Sequence, residues 1–152
     1  MLLLMKRPFC DTISLMALKT RSRQENHDLI EEVKRYIHQH MDEPLNRETL
    51  AAVADFSVPH LHRLFRECVG ESMGSYVRRL RLERAGRKLR LGAVNITEVA
   101  LAAGYDSHAA FGKAFKQQFG LCPSDFRALS CLAATQLLLR SQKKQGVNHG
   151  EN

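Results

Sequence analysis

The chain lacks the marks of several protein classes at once. Its four cysteines, Cys10, Cys68, Cys122 and Cys131, form no C-x-x-C pair. Irregular spacing of this kind in a helical chain points to reduced thiols of a cytosol rather than to a disulfide framework. No window alternates apolar and polar residues in the way a half-buried strand does. The apolar stretch Ile13 to Leu18 is too short to cross a bilayer. Met-Leu-Leu-Leu-Met before Lys6 and Arg7 reverses the order that a signal peptide needs. No Ser/His/Asp grouping, paired carboxylate site or Gly-rich phosphate loop is present, so neither enzyme activity nor a cofactor is expected. His38-Gln-His40 and His60-Leu-His62 do not make metal sites, because residues two apart on a helix point roughly 200° apart.

What the chain has is positive charge, helical periodicity and a repeated sentence. A formal charge of +7 in 152 residues favours a polyanionic partner, either nucleic acid or an anionic membrane surface. The length allows one domain, or two small ones sharing a core, since a unit of roughly 50 residues is marginal alone. Thr49-Leu-Ala-Ala-Val-Ala-Asp-Phe-Ser57 runs into His60-Leu-His-Arg-Leu-Phe-Arg66 and stops at Gly70. Glu98-Val-Ala-Leu-Ala-Ala-Gly-Tyr-Asp-Ser107 runs into Ala110-Phe-Gly-Lys-Ala-Phe-Lys116 and stops at Gly120. Leu50, Val53 and Phe56 map onto Val99, Ala102 and Tyr105 at an offset of 49, whereas Ser57, Phe65 and Gly70 map onto Ser107, Phe115 and Gly120 at 50. The extra residue, Asp106, falls in the second copy's turn, where an insertion is best tolerated.

The pattern predicts an all-α fold of about seven helices, in which two helix-turn-helix subdomains are joined by a long linker helix. A first helix is expected from His27 to about Met41, and a short one from Arg47 to Ala54 behind an Asn46 cap. Asp55 takes the left-handed turn position that Gly104 fills more comfortably in the second copy. Ser57 and Ser107 are the expected caps of two further helices, the first with Pro59 in its opening turn. The linker is expected from Met73 to Leu91, about 28 Å long. Asn95 with Glu98 then starts one helix, and Cys122-Pro123 starts another. Residues 1–24 are expected to be a mobile leader. The domain then covers 25–130, with subdomains 27–70 and 95–129 around the linker at 72–91. In the tail, 131–152, Cys131 to Arg140 extends the last helix and Ser141 to Asn152 is disordered.

On a helical wheel the first reading helix turns Leu61, Leu64, Phe65 and Cys68 inward and Pro59, His62, Arg63 and Arg66 outward. The second turns Phe111, Ala114, Phe115 and Gln118 inward and Ala109, Gly112, Lys113 and Lys116 outward. Each thus offers a basic face to the major groove of double-stranded DNA, with Arg63 the strongest candidate for reading a base. The phenylalanines are core, not stacking platforms, by their helical spacing. The linker adds seven basic residues, Arg78, Arg79, Arg81, Arg84, Arg87, Lys88 and Arg90, against the single acid Glu83. That strip is expected to neutralise phosphates, with Arg66, Arg78, Arg79, Arg81, Arg84, Arg87 and Lys116 as the contacts. A spacer of this length can hold two helices near the roughly 34 Å between successive major grooves.

Ile96-Thr-Glu-Val-Ala-Leu-Ala-Ala-Gly-Tyr-Asp-Ser107, followed by Phe111, Phe115-Lys116, Phe119-Gly120 and Pro123-Ser-Asp-Phe-Arg127, resembles the signature of the AraC/XylS family of transcription regulators. Gly70-Glu-Ser72 through Tyr76-Val-Arg-Arg-Leu-Arg-Leu-Glu-Arg-Ala85 is similar to the family's linker helix. The resemblance covers about residues 27–129. It implies a bilobed seven-helix DNA-binding domain, usually that of a bacterial activator recruiting RNA polymerase. It places base-contacting residues at Pro59, His62 and Arg63 in the first unit and at His108, Ala109 and Lys113 in the second. Asp55 departs from the family's usual Gly, and Cys122 from its usual Thr cap. Leader and tail are too short for a sensor domain, so the chain looks like a stand-alone or shortened member. The expectation is a cytoplasmic, nucleoid-associated regulator acting as a monomer on DNA, with a low-specificity architectural binder or a fragment of a ligand-responsive regulator as the alternative.

Overall fold

Two lobes are threaded on one long helix. The structure, a computed structural model, describes residues 22–92 and 95–143; most of the expected leader, and the tail beyond Lys143, lie outside the described residues. Eight helices and no strand occur among them: α1 Arg23–Gln39, α2 Arg47–Val53, α3 Val58–Val69, α4 Met73–Arg90, α5 Ile96–Ala102, α6 His108–Phe119, α7 Pro123–Ala128 and α8 Cys131–Lys143.

Local chemistry explains most of the boundaries. α1 starts four residues before the expected His27, because Ser22 and Glu25 close a reciprocal capping box: Ser22 Oγ accepts from the Glu25 amide at 3.2 Å and Glu25 Oε2 from the Ser22 amide at 3.0 Å. Asn46 Oδ1 accepts from the Thr49 amide at 2.7 Å, Ser107 Oγ from Ala110 at 3.1 Å and Asn95 Oδ1 from Thr97 at 2.9 Å. Ser57 occupies the cap of α3 without a side-chain bond. α3 and α6 both end on left-handed glycines, Gly70 at φ 85° and Gly120 at φ 80°. Leu129 adopts an extended ψ of 153°, and Ser130 Oγ accepts from the Ala133 amide. The expected continuation of α7 is therefore a separate helix, α8. The expected disorder from Ser141 onward does not hold at its start: Ser141 is buried within α8.

Asp55 is the one non-glycine residue with positive φ, 53°, among the described residues, whereas Gly104 holds the matching turn at φ 85°. A left-handed L-residue carries strain that Asp only partly escapes. Asp55→Gly should therefore raise stability by about 0.5–1 kcal/mol, seen as a higher urea midpoint; a lower midpoint would show that Asp55 has a compensating partner.

Each lobe has its own core. The first gathers Ile30, Val33, Ile37, Leu50, Leu61 and Phe65 against Met73, Tyr76 and Leu80 of α4. The second gathers Val99, Phe111, Phe115, Phe119, Phe126 and Ala134 against Leu82, Ala85 and Leu89 of the same helix. Leu80 and Leu82 stand on opposite sides of α4, since residues two apart point roughly 200° apart. The helix thus passes from one core to the other within a single turn. That is why α4 is buried on more faces than a surface helix.

Candidate nucleic-acid interface

The docking of α3 and α6 follows from their apolar stripes. Leu61, Leu64 and Phe65 of α3 are buried, as are Phe111, Phe115 and Phe119 of α6. On the opposite face of α3, Pro59, Arg63 and Arg66 are exposed and His62 is half-buried. On α6, His108, Ala109, Lys113 and Lys116 are exposed and Gly112 is half-buried. Arg63, Arg66, Lys113 and Lys116 make no ion pair with the described residues, so their charges are available to a partner. His60, beside the expected reading positions, is instead fixed edge-on against Phe56 with ring centroids 4.5 Å apart. Cys68 departs from the expected inward position. It is exposed, and Val69 makes the core contact in the last turn of α3, although the burial Cys68 retains and the nearby Glu67 push its thiol above the ordinary value.

The linker strip differs most from expectation. Arg79 is buried, and its guanidinium bridges two buried carboxylates: Nη2 to Glu71 Oε1 at 2.8 Å and Nη1 to Glu83 Oε1 at 3.0 Å. Burial opposes its charge, but the hydrogen bonds and attraction of Glu71 and Glu83 outweigh that and hold its pKa above the ordinary value. Its guanidinium carbon lies 5.0 Å from the centre of the Tyr76 ring. Tyr76, pushed up to about 12 mainly by burial, meets His38 Nε2 of α1 at 3.2 Å. Burial, with Lys34 and Arg79 nearby, lowers the His38 pKa below the ordinary 6.5. Glu83 also accepts from Ser141 Oγ at 2.8 Å and from Gln142 Nε2 at 3.3 Å, which ties α8 to the linker. The Arg79 guanidinium, expected on the phosphate strip, is therefore committed to two carboxylates inside the fold.

Arg81 and Arg84 are also engaged. Arg81 donates to the Glu43 carbonyl at 2.9 Å, and Arg84 forks the Asp42 carboxylate at 2.8 and 3.0 Å. Arg90 donates to the carbonyls of Arg127 and Leu129 at the end of α7. Of the linker residues expected to meet phosphate, Arg78 and Arg87 remain exposed. Arg78 lines an open cleft of about 640 Å³ between the lobes, together with Arg47, Arg81, Val77 and Tyr105. Arg47 was not singled out in the sequence, because only the fold brings it beside Arg78. The Tyr105 hydroxyl is buried without a hydrogen-bond partner among the described residues, and desolvation raises its pKa.

Among the described residues no group of His, Cys, Asp and Glu is arranged to hold a metal ion. No helix among them is long and apolar enough to cross a membrane.

Comparison with known proteins agrees with this geometry. A family model described as a helix-turn-helix domain matches residues 50–129. The transcriptional regulator Rob of Salmonella typhimurium is 36% identical over 102 residues, covering 67% of this chain and 35% of Rob. The chain thus spans about a third of the length of that relative. The regulatory protein SoxS of Escherichia coli K12 is 34% identical over 99 residues, covering 65% of this chain and 92% of SoxS. Among solved structures, an AraC-type transcriptional regulator from Chromobacterium violaceum superposes with a TM-score of 0.63 at 28% identity, covering 66% of this chain and 90% of that one. The DNA-binding domain of AdpA, a global transcriptional factor solved in complex with a target DNA, superposes with a TM-score of 0.60 at 31% identity, covering 65% of this chain and 89% of that domain. With two matched helix-turn-helix units, free basic faces on both and these relatives, the chain belongs to the AraC family of DNA-binding transcription regulators.

Proposed function

We propose that the protein binds an asymmetric DNA site as a monomer, placing α3 and α6 in successive major grooves, and activates transcription in the cytoplasm by contacting RNA polymerase. The observation that carries the reading is the pairing of two docked helices with free outward cations, held on one continuous helix of 18 residues. At 1.5 Å per residue that helix is about 27 Å long, which with the flanking lobes approaches the roughly 34 Å groove repeat. Base reading falls to Pro59, His62 and Arg63 in the first lobe and to His108, Ala109 and Lys113 in the second. Phosphate contacts fall to Arg66, Arg78, Arg87 and Lys116, whose side chains point to solvent. Activation through polymerase follows from the family resemblance.

The two faces are not equivalent. Arg can take both acceptors of a guanine edge, whereas Lys approaches as a point charge. Arg63→Ala should lose about 1–3 kcal/mol of discrimination in one half-site, and Lys113→Ala should weaken binding at every site alike. Selection from randomised DNA with both variants checks this, and equal loss of preference in the two halves would sink it. Excess unrelated DNA should leave the specific complex in place; displacement in proportion would favour an architectural binder.

A further inference from the structure

We infer that Arg81 and Arg84 are positioning residues that set the angle between the two lobes, and through it the half-site spacing the protein accepts. The inference rests on the two-groove reading above. Arg81 and Arg84 lie three apart on α4 and so share a face. On one side of that face is the loop that follows α1, with Asp42 held by the Arg84 fork and the Glu43 carbonyl held by Arg81. On the other side is the second helix-turn-helix. Arg81 Nη1 lies so close to Gly104 that a Cβ there would stand 3.1 Å away. Met41 of the loop and Val99, Ala102 and Ala103 near the end of α5 line the same void of about 10 Å³ as the two arginines. That space is about the minimum a single water needs.

The loop of the first lobe and the second helix-turn-helix therefore meet across Arg81, with the Arg84 side chain lining the same void and its guanidinium holding Asp42. A single exposed ion pair contributes little, but a bidentate Arg–carboxylate pair with fixed geometry is the favourable case. Here it is backed by a backbone carbonyl and by close apolar contact. The consequence is geometric more than energetic. If the loop is released, α3 can swing relative to α6, and the reading helices then fit half-sites at more than one separation.

The test uses the purified full chain and duplexes carrying its selected site, with the spacer between half-sites changed by one or two base pairs either way. The protein itself should prefer one spacing. Asp42→Asn and Arg84→Gln should each cut that preference by about threefold or more, as expected when a bidentate pair is lost. The swap Asp42→Arg with Arg84→Asp should restore part of it. A spacing profile unchanged in shape in either single variant overturns the inference. So does a uniform loss at all spacings with a salt slope reduced by about one, the mark of a lost phosphate contact, or a double variant no sharper than the singles. If the unaltered protein shows no sequence preference, the two-groove reading itself falls, which is a different result from a spacing-selective protein whose variants keep its profile.

Discussion

Arg79→Ala should destabilise the protein by about 3–5 kcal/mol, because it leaves two buried carboxylates without the cation that both face. Glu71 is 8% exposed and Glu83 1%, so neither can turn to water without moving α4 or α8. The change also removes the guanidinium packed over Tyr76. Against a total stability of roughly 5–15 kcal/mol, this is a large fraction, and it should appear as a fall of more than about 10 °C in Tm. Were Arg79 a phosphate ligand, the opposite pattern would follow: unchanged stability and a slope of log affinity against log salt reduced by about one. Thermal unfolding of the free protein with a salt titration of the complex separates the two. Retained stability with a reduced slope would return Arg79 to the phosphate strip.

Phe115→Ala should cost a similar amount, about 3–5 kcal/mol, but its effect should stay within the second lobe. Phe115 is fully buried, with ring centroids 5.4 Å from Phe111, 4.6 Å from Phe119 and 5.2 Å from Phe126. Its removal opens a cavity among these three rings, and aromatic contacts contribute beyond their buried area. Among its buried residues the first core has one ring pair, Phe65 with Tyr76 at 5.4 Å, with Tyr36 and Phe56 packed at its edge. Since each cluster packs on its own stretch of α4, hydrogen exchange should lose protection in α5 to α8 first while α1 to α3 stay protected. Equal loss in both lobes would show that they unfold as one unit. Binding should then lose preference in the half-site read by α6 before the half-site read by α3.

The helices and the two lobes were legible because their signals are local. Apolar spacing of three and four, Ser and Asn caps and closing glycines act within a turn or two, and the duplication lets each copy check the other. The capping box Ser22–Glu25 was equally local, yet it stood beside a stretch read as leader, so α1 appeared shorter than it is. The residues whose partners within the fold were not legible are those whose environment is set far along the chain. Arg79 to Glu83 is an i,i+4 pair, but its burial depends on Ser141, 58 residues beyond Glu83, folding back in α8. Arg84 meets Asp42 across 42 residues. A strip of charge along a helix reads as a solvated face until the cores on either side are known. Cys68 fails for a simpler reason: it continues the stripe of Leu61 and Leu64, but in the last turn of α3 Val69 takes the core contact instead. The outward faces of α3 and α6 were read from the stripes opposite them, of which Leu61, Leu64, Phe65, Phe111 and Phe115 are buried, Ala114 and Gln118 half-buried and Cys68 exposed.

The central claim is that one chain presents two reading helices to one face of DNA. Sequencing the fragments that the purified full chain retains from a fully random duplex pool tests it most directly. A single asymmetric motif with two informative blocks about 10–11 base pairs apart, centre to centre, is the expected result. Arg63→Ala should flatten one block and leave the other. A retained pool with no motif, one block alone, or a palindrome read by two copies of the chain would contradict it.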